Sequence, residues 1–314
     1  MRIATRNYAA CMFCGGRTHL RYHDVFHPFK REYGPFDICI CEDCGSAQTD
    51  PAPSRENLAA LYCSYQNGLS KLHRAIMSDD PQTAVYRLCV NRIVRLSGRH
   101  SFDVFTWLDV GGGGGEFAAL MAAAFPKSHG VVVDLHPRPS SLTGISSVEW
   151  HQLDINQDTF SLSLSQADIV VAIGVWEHVL HPDLFVRNLL SLVLPQGLLY
   201  LLCPNNTSLA SRIFGKSWPL FTPGEHLTIP TRKGAVCCLR REWNILGNKE
   251  AVSVSARGLM LPYTLRYLMR RLGADVVGRM LPAGLSLPLS IGVLEANAIR
   301  SANVNDNKDG YSFT

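Results

Sequence analysis

The stretch Leu108-Asp109-Val110-Gly111-Gly112-Gly113-Gly114-Gly115-Glu116-Phe117 decides how this chain is read. Residues 105–110, leading into it, read as a strand, and residues 116–125, leading out, as an alanine-rich helix. Glycines between a strand and a helix let the backbone come close to a ligand, and the helix start adds unpaired N–H groups to hold it. Asp109 stands two residues before the first glycine, at the strand end, where dinucleotide-binding folds usually carry an apolar residue.

Outward from this unit, strands and helices alternate. Residues 130–134, 148–153, 167–173 and 198–203 read as strands, and 182–194 as a helix. This alternation predicts the α/β class, a Rossmann-like and mostly parallel sheet with helices on both faces. Further along, 231–243 reads as a helix, 251–255 as a strand, 261–272 as a helix closed by Gly273, and 291–298 as a last strand. Upstream, Ser54 caps a short helix that reaches Tyr62, and a second helix covers 81–96. The tail 301–314 is polar and expected to be disordered.

At the N-terminus, Cys11-x-x-Cys14-Gly and Cys41-x-x-Cys44-Gly form two knuckles separated by 26 residues. Each puts two sulfurs on one tight turn, and two such turns facing each other supply the four thiolates of a tetrahedral zinc site. Four thiolates leave no position for water, so the expected Zn2+ is structural. His19, His23 and His27 lie between the knuckles and are read as surface residues, and Cys39 as a packed one.

The glycine run by itself fits more than one cofactor. Gly113-x-Gly115-x-x-Ala118, followed by Asp134, matches the dinucleotide fingerprint and keeps NAD open. Three acids favour S-adenosylmethionine. Asp109 would neutralise the ammonium of a methionine moiety, and Asp134, ending the next strand, would accept the ribose hydroxyls. Asp154 would take the adenine amino group, with Ile155 beside the ring. Gly111, Gly113 and Gly115 complete the expected cofactor-binding set.

Composition excludes several classes. Of 314 residues, 46% are hydrophobic and 18% charged, which rules out wholesale disorder. The net charge of +4 is scattered and gives no basic arm for nucleic acid. The opening residues lack the apolar core of a signal peptide, and no uncharged apolar run reaches about 18 residues. With ten cysteines and no secretion signal, reduced thiols in a cytoplasmic protein are the expectation.

Taken together, these motifs resemble the class I S-adenosylmethionine-dependent methyltransferases, especially the sugar-modifying and ubiquinone-type small-molecule enzymes. Ala167-Asp-Ile-Val-Val-Ala-Ile-Gly-Val-Trp176-Glu177-His178-Val179 with Pro182 is similar to that family's fourth strand and the turn after it. Leu194-Pro-Gln-Gly-Leu resembles its turn before the fifth strand, with Gln196 and Leu198 departing from the usual residues. Gly224-Glu225-His226-Leu227, after Trp218, resembles the acceptor-facing segment of a branch that carries an N-terminal zinc ribbon. Asp50-Pro-Ala-Pro…Tyr62-x-x-Tyr65 also matches that branch. The likeness spans roughly 10–230 and thins beyond 235. Sugar C-methyltransferases of this architecture usually carry a further C-terminal domain, which these 314 residues are not expected to contain, so their substrate is not carried over.

That resemblance implies methyl transfer to a small-molecule acceptor, a sugar, sugar nucleotide or glycan end. His226 would be the general base, oriented by Glu225 or another acid, with His178 as the second candidate. Trp176 would pack near the adenosine or sulfonium, and Tyr62 and Tyr65 would close over the pocket. The implied domains are a zinc-binding ribbon (1–50), a helical linker (51–100), the cofactor-binding methyltransferase domain (101–300) and the tail. The readings that compete are an NAD-dependent oxidoreductase or epimerase, which lacks a Tyr-x-x-x-Lys pair, and a non-catalytic zinc-ribbon adaptor. The basic helix read at 261–272 would pack on the core with its arginines in water rather than touch a membrane.

Overall fold

The computed structural model describes residues 8–27, 34–64, 81–157, 160–218, 220–247, 250–266, 269, 275–282, 285–289 and 292–301. The N-terminal segment forms three antiparallel strands, β1 (Thr18–Val25), β2 (Phe36–Cys41) and β3 (Ala47–Asp50). Two helices follow, α1 (Arg55–Ser64) and α2 (Pro81–Ser97). As expected, the Ser54 hydroxyl caps α1 by accepting from Asn57 N at 3.2 Å.

Next come β4 (Thr106–Val110), α3 (Glu116–Ala124), β5 (His129–Asp134), β6 (Val148–Gln152), β7 (Ala167–Ile173), α4 (Pro182–Ser191) and β8 (Val193–Pro204). They are followed by α5 (Leu209–Phe214), β9 (Thr228–Ile229), α6 (Arg232–Ile245), β10 (Val252–Gly258), β11 (Leu261–Thr264), α7 (Asp275–Met280), β12 (Ser286–Leu289) and β13 (Val293–Arg300).

Seven strands make the main sheet in the order β6-β5-β4-β7-β8-β13-β10. The pairs from β6 to β8 are parallel, and β13 and β10 close one side antiparallel. This is the expected α/β architecture. Residues along each strand alternate between two cores. Leu108, Val170, Leu199 and Leu201 join one face, where α4 and α6 add Phe185, Leu189, Ala235 and Leu239. Trp107, Ile169, Val171 and Tyr200 join the other, where α2 and α3 add Cys89, Ile93, Phe117 and Met121. The chain leaves β4 toward β5 on one side and returns to β7 on the other, so the glycine loop after β4 lies at the topological switch point. Ligands of open α/β sheets bind there.

Two readings need correction. The helix expected over 261–272 is replaced at its start by β11, which pairs antiparallel with β12. Pro262 lies opposite Pro288 in that ribbon, so tertiary pairing overrides the helical period of the leucines. The turn expected at Pro195 to Gly197 is instead an irregularity inside β8, with Gln196 at φ +64°. Gly273 and the tail from 302 onward lie outside the described residues. No helix among the described residues is long and apolar enough to cross a membrane.

Candidate active site

The glycine loop is held open by its own backbone. Gly111 N and Gly112 N donate to Val133 O at 2.7 and 3.3 Å, which ties the loop to the end of β5. Gly111 takes φ +84°, and a Cβ there would lie 2.4 Å from Val175. Gly113 N donates to Asp134 Oδ2 at 2.8 Å, and Gly115, at φ +79°, is the N-cap of α3. The other Asp134 oxygen accepts from His136 N at 2.9 Å. Each oxygen keeps a lone pair for a hydroxyl, and the carboxylate is fixed before a ligand arrives.

Asp109 is 2% exposed, and its Oδ2 finds no hydrogen-bond partner among the described residues. Burial, and then the neighbouring Asp134, push its carboxyl up to about 7. A buried orphan oxygen beside a glycine cradle fits a cationic group such as an ammonium. Asp154 is engaged differently from the expectation. Its Oδ1 accepts from Asn156 N at 2.9 Å and its Oδ2 pairs with Arg55 of α1 at 2.6 Å. Ile155 lines a small cavity together with Asn156, Val179, His181 and Phe185.

A second group of side chains comes from the turn after β7 and the loop before β9. His178 Nδ1 donates to Glu225 O at 3.1 Å, and His226 Nδ1 donates to Leu220 O at 2.7 Å. The rings meet edge to face with centroids 4.6 Å apart. Because each Nδ1 faces a carbonyl, each neutral ring carries its lone pair on Nε2. Burial, then His226, push His178 down to about 4, and burial lowers His226 as well. Glu177, which precedes His178, is pushed up to about 8, chiefly by burial.

The role expected for Glu225 is revised. Leu220 O, rather than the Glu225 carboxylate, orients His226. The carboxylate instead meets His27 Nε2 at 3.1 Å. His27 is 1% exposed and not the surface residue its sequence context suggested. Its partner lies 198 positions away, which is why local reading missed it. His19 and His23 do lie at the surface. Tyr65 and the side chain of Tyr62 lie outside the described residues.

The four cysteines converge. Donor atoms of Cys11, Cys14, Cys41 and Cys44 lie within 4.8 Å of one another, with Cys11 to Cys44 at 3.6 Å and Cys14 to Cys41 at 3.4 Å. The knuckles repeat one geometry. Cys11 N donates to Gly16 O and Gly15 N to Cys11 O, as Cys41 N does to Ser46 O and Gly45 N to Cys41 O. Gly15 and Gly45 take φ +77° and +72°. Four thiolates gathered this closely fit zinc, which prefers four such ligands.

This module is built into the sheet domain. β3 pairs with β9, and Thr49 N donates to Leu227 O at 2.8 Å. On the other side of the same segment, Leu227 N donates to Glu177 O at 2.7 Å. Thr231 Oγ1 donates to Cys44 O, and Arg241 Nη2 to Met12 O at 2.9 Å. Trp176 corrects another expectation. It is fully buried, packs edge-on against Phe13 at 5.3 Å and donates its indole N–H to Pro182 O. It therefore joins the cysteine module to the sheet and presents no face to a ligand.

Residues 82–236 match a family model described as a methyltransferase domain. The chain carries a methyltransferase domain. Its fold is similar to that of the plantazolicin methyltransferase BamL, solved with a triazolic desmethylPZN analog and SAH. The two share 13% identity over 78% of this chain and 96% of that one, with a TM-score of 0.55. It is also similar to 1,6-didemethyltoxoflavin-N1-methyltransferase of Burkholderia thailandensis, solved with 1,6-didemethyltoxoflavin and S-adenosylhomocysteine. Here the identity is 14%, over 83% of this chain and 98% of that one, with a TM-score of 0.51. At such identities the likeness is one of fold. No curated protein matches the sequence. The stretch matched to the methyltransferase domain begins inside α2, so it takes in the helix that packs on the sheet and omits the cysteine module.

Proposed function

We propose that the chain transfers a methyl group from S-adenosylmethionine to a small molecule, a sugar, sugar nucleotide or glycan end. The observation that carries the cofactor is the orphan Asp109 oxygen, buried at the end of β4 beside the glycine loop of a methyltransferase domain. Asp109 would receive the ammonium, Asp134 the ribose hydroxyls, and Gly111, Gly113 and Gly115 the close approach of the ligand. Asp154 would reach the adenine amino group only by sharing its carboxylate with Arg55. Ile155 would flank the ring.

A sulfonium already activates the methyl group, so the protein has to align acceptor and donor, exclude water and take a proton from a hydroxyl or carbon acid. His226 is proposed as that base, with Nε2 as the accepting atom, and His178 as the alternative. Both rings are depressed below the usual histidine range and are therefore unprotonated at neutral pH. The sugar-like acceptor rests on the resemblance of the segment around Glu225 and His226.

The cysteines would hold one structural Zn2+, in the proposed ribbon 1–50. The linker 51–100 and the methyltransferase domain 101–300 complete the proposed division, and reduced thiols suit the cytoplasm. Calorimetry with S-adenosylhomocysteine, NAD and a DNA duplex tests the reading. Binding of the first alone is expected. Binding of NAD instead would favour the oxidoreductase, and binding of DNA alone the adaptor.

A further inference from the structure

Glu177, His178 and His226 reach one point from two separate segments, the turn after β7 and the loop before β9. One donor atom from each lies within 4.8 Å of the others, and Glu177 Oε1 stands 3.8 Å from His178 Nε2. Glu177 is 3% exposed, and its Oε2 has no hydrogen-bond partner among the described residues. A buried carboxylate oxygen in that condition calls for a partner. Each imidazole donates Nδ1–H to a backbone carbonyl, Glu225 O or Leu220 O. Metal-bound histidines are oriented in this manner, with the far nitrogen held by a carbonyl and the near one directed at the ion. Two imidazoles and a carboxylate suit the divalent transition metals, and three protein ligands leave a coordination position open.

We propose that Glu177, His178 and His226 form a binding site for a divalent transition-metal ion, distinct from the four cysteines. The ion and the acceptor's proton would compete for the same Nε2 lone pair of His226, so occupancy would slow methyl transfer. That consequence rests on the function proposed above, whereas the binding itself does not.

The test uses the full chain with its cysteine site already loaded with zinc, titrated with Co2+ and followed by absorption and metal analysis. One further equivalent is expected, with the ligand-field bands of nitrogen and oxygen coordination and without a thiolate charge-transfer band. His178→Gln and His226→Gln, each checked for zinc content and S-adenosylhomocysteine binding, should weaken cobalt binding at least about tenfold. No uptake beyond the zinc-loaded protein, a thiolate spectrum, or uptake unchanged in both variants would overturn the site. Cobalt uptake without S-adenosylhomocysteine binding would leave the metal site standing and remove the proposed function. Cofactor binding without cobalt uptake would do the reverse.

Discussion

Asp109, with a carboxyl pushed up to about 7 by burial and then by Asp134, is part-protonated near neutral pH in the free protein. Only its carboxylate form pairs with an ammonium, so affinity for S-adenosylhomocysteine should rise with pH. The slope approaches about tenfold per pH unit below pH 7 and flattens above it. Calorimetry across that range should show the rise in the native protein and none in Asp109→Asn. A native profile as flat as the variant's would mean that Asp109 does not meet the ammonium. His226→Ala, at the proposed base, should keep cofactor affinity and lose about 10²- to 10⁴-fold in turnover. The comparison is His178→Ala, assayed alongside. If only the His178 variant loses turnover, His178 is the base. If neither does, the acceptor is already nucleophilic. The Asp109 and Asp134 positions were legible because strand end, glycine run and next strand end lie within thirty residues of each other. The His27 to Glu225 contact and the burial of Trp176 against Phe13 were not, because each joins residues far apart in the chain.

Among the elements, the inner parallel strands β4, β5, β7 and β8 were readable as apolar runs, since helices cover both faces of the sheet there. The weaker β11 was not, because a four-residue ribbon strand with a proline carries no period of its own. An ion-pair cluster adds to the apolar packing and strand pairing that join α2, β8, β10 and β13. Glu295 on β13 is fully buried and accepts both Arg92 Nε and Nη2 at 2.9 Å, Arg257 Nε at 3.0 Å and Tyr200 Oη at 3.1 Å. Burial opposes the charge, but these partners win, and the Glu295 carboxyl is held below its usual range. Removing one partner strands a buried charge, so Arg92→Met should destabilise the fold by about 3 kcal/mol. Urea unfolding measures this. A change within about 0.5 kcal/mol would show that Arg257 and Tyr200 suffice. The folded carboxyl is depressed, so this contribution is present above the unfolded carboxylate pKa and is lost as pH falls through the lower folded one.

At the scale of the molecule, two units legible separately in sequence form one continuous core. Cys11, Phe13, Cys41 and Cys44 belong to the same buried cluster as Trp176, Leu199 and Leu239. Through β3 and Thr49, the cysteine module also grips the segment that carries His226. Chelating the zinc proposed at the cysteines should therefore lower the melting temperature of the whole chain and speed amide exchange over 222–229. A single unfolding transition unmoved by chelator would contradict a metal at the cysteines. The glycine loop and its acids are proposed to hold S-adenosylmethionine, and hydrogen–deuterium exchange with S-adenosylhomocysteine bound reads those segments one by one. Slowed exchange is expected at 109–116 and 134–136, with no such protection when NAD is added instead. Protection absent from both stretches, or equal with NAD, would contradict it.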